Sequence, residues 1–241
     1  MKLTVGVERW EGWVPDIREK RQWQALITGV RQPDLTAAPE FLWLKPRQRR
    51  RLSMISKMTL DVAGCCAEGV VSIPAIFASR RGEVSRMATI LQDICSGEDA
   101  SPTDFSLSVH NASSGLFSIY TDNRQPSTAI AAGADTVIAG LTEAYAQLNS
   151  GQERVLLVFF EDQMPEVYQA FALAEDYPVV LAMILSQGSE PQLQLQISSG
   201  IGSLSEAEST YIQLTTLVRT LLTEQSGVIT GESKQCLLQF K

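Results

Sequence analysis

Two periodicities take turns along this chain. Apolar residues recur at three- and four-residue steps over residues 49–67, where Leu52, Ile55, Met58, Val62 and Cys66 share a face. They recur in the same way over residues 83–95, through Val84, Met87, Ile90, Leu91 and Ile94. This spacing predicts amphipathic helices. Residues 17–28, 112–120 and 206–223 read as helices too, and a helix over 135–148 stops at Asn149-Ser150-Gly151. Between them lie shorter β-rich runs. Residues 3–8 alternate in the strand manner, and 72–77 and 127–132 are short strands. Residues 154–160 and 179–185 are near-continuously apolar, the pattern of central strands covered on both faces. Residues 192–197 alternate Leu and Gln, which predicts a half-exposed strand, and 235–240 form a last one. Residues 30–41, with Pro33 and Pro39, and 96–104, with Gly97 and Pro102, read as loops. Strands alternating with helices predict a three-layer α/β fold with a mainly parallel central sheet. Residues 1–241 are expected to form one domain.

Composition narrows the function. No apolar run approaches the ~20 residues of a membrane helix, and Met1–Gly6 lacks a signal-peptide core, so a cytoplasmic location is expected. The net charge of −7 argues against nucleic acid as a partner. Arg47, Arg49, Arg50 and Arg51 cluster nonetheless, as a solvated helix start or as a contact for an acidic carrier protein or partner subunit. Cys65, Cys66, Cys95 and Cys236 fit neither a zinc site nor a disulfide framework, and read as reduced, buried thiols. His110 is the single histidine, which excludes a His-rich metal site and a His-pair mechanism within this chain. Ser113 and Ser114 lack a matched base and acid. The run G-V-I-T-G-E-S-K at 227–234 lacks the ending of a phosphate loop. No cofactor or metal is expected.

One stretch is more specific. F-S-L-S-V-H-N-A-S-S-G-L-F-S-I at 105–119, followed by P-S-T-A-I-A-A-G-A-D at 126–135, resembles the middle of a β-ketoacyl synthase. With R-R-R-L-S-M-I-S-K-M at 49–58 and F-A-S-R-R-G-E at 77–83, the chain looks like the short synthase-like proteins of aryl polyene gene clusters, viewed as chain length factors. The resemblance implies a thiolase-like fold, equivalent to the N-terminal half of a synthase.

It also implies what has been lost. In the family a strand delivers a nucleophilic cysteine to a helix N-terminus, where the dipole favours thiolate. Here that position falls on Ala134, or on Gly133 with slippage, and neither is a nucleophile. The family's catalytic histidines belong to a second half that this chain is expected to lack, which leaves nothing to stabilise an enolate or oxyanion. Phe159 and Phe160 replace a glycine pair, and Asp162 reads as a loop cap. The resemblance assigns a partner interface to Pro126, Ser127, Thr128, Ala129, Ile130, Ala131 and Ala132. It assigns an acyl-tunnel gate to Met87, Leu91, Phe105, Leu107 and Phe117. His110 and Asn111 become loop structure. The implied role is a non-catalytic chain length factor in heterodimer with a full-length ketosynthase, with acyl carrier protein serving mainly the catalytic subunit. A stand-alone acyl- or carrier-binding module, and an acyltransferase with an unrecognised nucleophile, remain open alternatives.

Overall fold

The computed structural model describes residues 1–70, 72–173, 175–199 and 207–240. In chain order the elements are β1 (Lys2–Trp13), α1 (Lys20–Ile27), α2 (Met54–Cys66), β2 (Ala75–Ala78), α3 (Val84–Cys95), α4 (Pro102–Leu107), α5 (Ala112–Thr121) and β3 (Ser127–Ile130). There follow α6 (Thr136–Asn149), β4 (Arg154–Glu161), β5 (Val179–Ser186), β6 (Gln192–Ser199), α7 (Thr210–Thr223), β7 (Gly227–Thr230) and β8 (Lys234–Phe240).

Local chemistry explains where the boundaries depart from expectation. The arginine run belongs to a turn, not a helix. The helix begins at Met54 because the Ser53 hydroxyl accepts the Ser56 N–H at 3.1 Å. A helix, α4, forms where a loop is expected. Ser101 caps it, and Pro102 sits at the first position, where a missing N–H costs nothing. The start expected at Glu206 for the last helix lies outside the described residues; α7 begins after Ser209, whose hydroxyl accepts the Ile212 N–H at 3.2 Å.

The eight strands form one sheet in the order β3-β2-β4-β5-β1-β6-β8-β7. Among the described strands the two parallel pairs both involve β2, with β3 and with β4; β4–β5, β5–β1, β1–β6, β6–β8 and β8–β7 are antiparallel. The expectation of a mainly parallel sheet is therefore wrong. Periodicity reports a strand's burial but not its direction. The crossover of a parallel β4–β5 pair is usually a helix, whereas the described residues of the link from β4 to β5 form a short 3-10 turn, Glu166–Phe171.

The three layers are as expected. Val155, Leu157 and Phe159 of β4, with Leu181 and Met183 of β5, face a core shared with α6 and α7. Leu156, Val158 and Phe160, with Val180 and Ile184, face a second core shared with α2 and α5. Each such side chain contributes about 1.5–3 kcal/mol on burial. Asp61, fully buried on α2, accepts the backbone N–H groups of Leu42 (3.1 Å), Trp43 (2.8 Å) and Leu44 (2.6 Å) and pairs with Arg18 at 2.6 Å. One carboxylate thus ties the long β1–α2 connection to the core. Gly64 completes the fit, since a β-carbon there would collide with the Trp43 indole.

Candidate functional site: a sharp strand-to-helix turn beside an open sheet edge

β3 lies at the edge of the sheet, paired on one side only. The carbonyls of Pro126 and Ile130 accept the N–H groups of Ala75 and Ser79, each at 3.1 Å, so the even-numbered residues of this stretch bond to β2. By the parallel ladder's alternation, Ser127, Ala129 and Ala131 turn their backbone groups outward, and all three are exposed. The expected strand 127–132 is shorter than predicted, ending at Ile130. Small side chains and free backbone groups give this edge what an added strand requires.

Beyond the strand the chain turns sharply into α6. Gly133 has φ +57°, a left-handed conformation that suits glycine. The Thr136 hydroxyl accepts the Ala132 N–H at 3.0 Å and donates to the Gly133 carbonyl at 2.7 Å, locking the turn. Ala134 stands just before α6 and is 3% exposed. Its carbonyl accepts the Gln213 side-chain amide of α7 at 2.8 Å. The Asp135 carboxylate accepts the backbone N–H of Ser233 and of Lys234, both at 3.2 Å, which pins the β7–β8 turn over the site. Strand, turn and helix are all present, and the side chain at 134 is a methyl group.

The ends of β2 and β4 carry a buried charge cluster that sequence reasoning missed. Glu161 accepts the N–H groups of Arg80 (2.8 Å) and Arg81 (3.1 Å), the Arg81 side chain (3.0 Å) and the Thr210 hydroxyl (3.2 Å). Arg81 also forks onto Asp176, both bonds at 2.7 Å. Burial works against the Arg81 charge, but Asp176 and Glu161 more than offset it and hold the guanidinium pKa above its ordinary value. Asp162 accepts the Ser85 hydroxyl at 2.6 Å and the Gln163 N–H at 2.9 Å; burial raises its pKa, and neighbouring Glu83 adds to this. Asp162 thus joins β4 to α3. His110 lies beside these ends, its Nε2 2.8 Å from the Ser79 carbonyl and its ring 6.5 Å from that of Phe160. Asn111 is the exposed residue before α5, and its carbonyl accepts the Ser114 hydroxyl at 2.9 Å.

The five residues assigned to a tunnel gate divide. Met87 (40% exposed) and Leu91 (43%) lie on α3, and Phe105 (64%) lies on α4, which packs on α3. Leu107 is half-buried. Phe117 is buried, with its ring 5.6 Å from Phe77, and lines a cleft of about 210 Å³ with Trp43 and Asn123 instead. The structure therefore exposes Met87 and Leu91 on α3 and Phe105 on the adjacent α4, and buries Phe117.

Arg47, Arg50 and Arg51 are exposed, whereas Arg49 donates to the Leu44 carbonyl at 2.7 Å and stacks 4.2 Å from the Phe41 ring. Cys95 is exposed, which corrects the expectation that every thiol is buried. Burial pushes the Cys65 thiol up to about 11 and those of Cys66 and Cys236 up to about 12, far from thiolate at neutral pH. Among the described residues, no three or more His, Cys, Asp and Glu side chains gather as a metal site, and no helix is long and apolar enough to cross a membrane.

Residues 20–236 match the family described as β-ketoacyl synthase, N-terminal domain. A search of curated proteins finds no match. Among solved structures, a chain of the ketosynthase (ApeO) in complex with its chain length factor (ApeC) from Xenorhabdus doucetiae aligns with a TM-score of 0.87 and 28% identity, over 98% of this chain and 99% of that one. A chain of the ishigamide ketosynthase/chain length factor aligns with a TM-score of 0.76 and 11% identity, over 98% and 99%. A chain of AntDE:AntF, a type II polyketide synthase acyl-carrier protein in complex with its ketosynthase, gives 0.69 and 10%, over 100% and 99%. At their low identity the last two show the fold alone, that of the ketosynthases.

Proposed function

The chain belongs to the β-ketoacyl synthase N-terminal domain family, and from that membership we propose that it is a non-catalytic chain length factor subunit. The observation that carries this reading is the pairing of Ala134 with the open β3 edge. The turn that would present a nucleophile is intact, yet its side chain cannot form a thioester. His110, the single histidine, is bound to a carbonyl beside β2. A chain with that turn and no acylation chemistry retains its value as a partner.

The partner in this reading is a full-length ketosynthase, joined through residues 126–132. The likeness to a chain of the ApeO–ApeC complex supports it. The surface bearing Met87, Leu91 and Phe105 would then close the partner's acyl tunnel, with its bulk limiting chain length, because a packed apolar wall tolerates little overfilling. The aryl polyene product follows from the matched sequence blocks, and the assembly belongs to the cytoplasm. Residues 1–241 form one domain in this reading, a view that the single continuous sheet supports. The test is co-expression with a full-length ketosynthase of aryl polyene assembly, with complex mass measured by size exclusion and light scattering. A one-to-one heterodimer is expected. A well-behaved monomer that ignores the synthase would overturn the reading.

A further inference from the structure

Helix α4 is weakly held. It has six residues, none of them buried, and an isolated helix of that length is unstable in water. It nonetheless carries Phe105, the most exposed of the candidate gate residues at 64%. Among the described residues, one side-chain bond joins α4 to another element: Asp104 pairs with Arg86 of α3.

Arg86 is well built for this work. Its Nε donates to Glu83 at 3.3 Å, a second nitrogen donates to the Arg51 carbonyl at 2.9 Å, and the third meets Asp104. Glu83 is itself buried and accepts the hydroxyls of Ser53 (3.0 Å) and Ser56 at the start of α2. A planar guanidinium spreads three bonds over three segments in fixed directions, which an ammonium does not. The chain α2–Glu83–Arg86–Asp104–α4 therefore runs from the core to the surface, and its last link sets where Phe105 stands.

We infer that Arg86 is a positioning residue that clamps α4 and, through Phe105, sets the product length the subunit permits. This inference rests on the proposed tunnel-closing role. The clamp and the role are separable. Asp104→Ala cuts the last link without touching the buried end of the network, and Arg86→Lys keeps the charge but loses the fork. Both are made in the full chain within the ketosynthase complex, beside Phe105→Ala as reference.

Hydrogen exchange of residues 102–107 should quicken about fivefold in Asp104→Ala, the effect of losing one partly screened ion pair. The product distribution should broaden toward the longer chains that Phe105→Ala releases, with Arg86→Lys intermediate. Double replacement of Asp104 and Phe105 should add nothing to Phe105→Ala alone. Unchanged exchange, or an unchanged product where Phe105→Ala does alter it, overturns the inference and leaves the tunnel role standing. An unchanged product in Phe105→Ala itself sinks the tunnel role and this inference with it.

Discussion

Ala129→Pro separates folding from assembly. Ala129 sits mid-strand on the β3 edge, with its N–H turned away from β2. Proline there removes no bond to β2, and proline is tolerated on edge strands. The isolated chain should lose no more than about 1 kcal/mol, or some 2–4 °C in Tm. The complex should fare much worse. An antiparallel partner strand would exchange bonds with Ala129; the substitution deletes one donor and strands a buried carbonyl opposite. The lost bond is worth about 0.5–1.5 kcal/mol net and the unpaired acceptor costs about 1–3 kcal/mol. Together these reach about 1.5–4.5 kcal/mol, or a roughly 10- to 2,000-fold weaker complex. Val228→Pro on the far edge is the control. Thr230 of β7 donates its N–H to Glu208 rather than to β8, so Val228 two residues away also faces outward. Titration of labelled variants with the ketosynthase gives Kd, and circular dichroism gives Tm. Equal binding by Ala129→Pro and the parent chain would refute assembly through this edge. Equal loss by both proline variants would refute its specificity.

Asp61→Ala should destabilise the chain by about 3–5 kcal/mol, because it strands the N–H groups of Leu42, Trp43 and Leu44 and takes the carboxylate from half-buried Arg18. Asp61→Asn, which keeps an acceptor, should lose less; calorimetry ranks them, and a change in Tm under about 2 °C for Asp61→Ala would contradict the account. Ala134→Cys should fold, add no fast-reacting thiol beyond the exposed Cys95 in a native thiol titration, and yield no condensation product on its own. Product from that variant alone would sink the non-catalytic reading. Asp162, with its pKa raised by burial, binds its proton more tightly in the folded state. Its contribution to stability is therefore fully present at low pH and is lost as pH rises from about 4 through its raised value. Asp162→Asn should gain stability relative to the parent chain over that rise; parallel Tm curves against pH would contradict this.

Burial was easier to read in the sequence than direction. The unbroken apolar run of β4 gave its central place, and the Leu–Gln alternation of β6 gave its half-covered face, since Leu193 and Leu195 are buried while Gln196 is exposed. The antiparallel pairings of β1 and β5 were not legible, because a strand has the same period either way. Helix α4 had its signals in Ser101 and Pro102, but its apolar residues lacked a helical stripe. The strand within residues 126–132 and the turn at Ala134 were legible because a motif carried them. The cluster of Arg81, Glu161 and Asp176 was not legible, because its members meet only through the fold. At Phe117 the family position suggests a gate, while the fold packs the ring against Phe77.

The strand order also sets a timetable. β1 lies between β5 and β6, so the earliest of these strands to be synthesised waits for two of the later ones. At ribosomal speeds that interval is on the order of ten seconds. Throughout it, Val5, Val7 and Trp13 have no sheet to enter, and Lys2, Thr4, Glu8 and Arg9 are the polar residues that keep the nascent segment in water. Slow codons would lengthen that wait, and scarce chaperone would leave the segment unprotected through it. Yield in the cell should therefore depend on translation tempo as well as on the stability of the finished sheet.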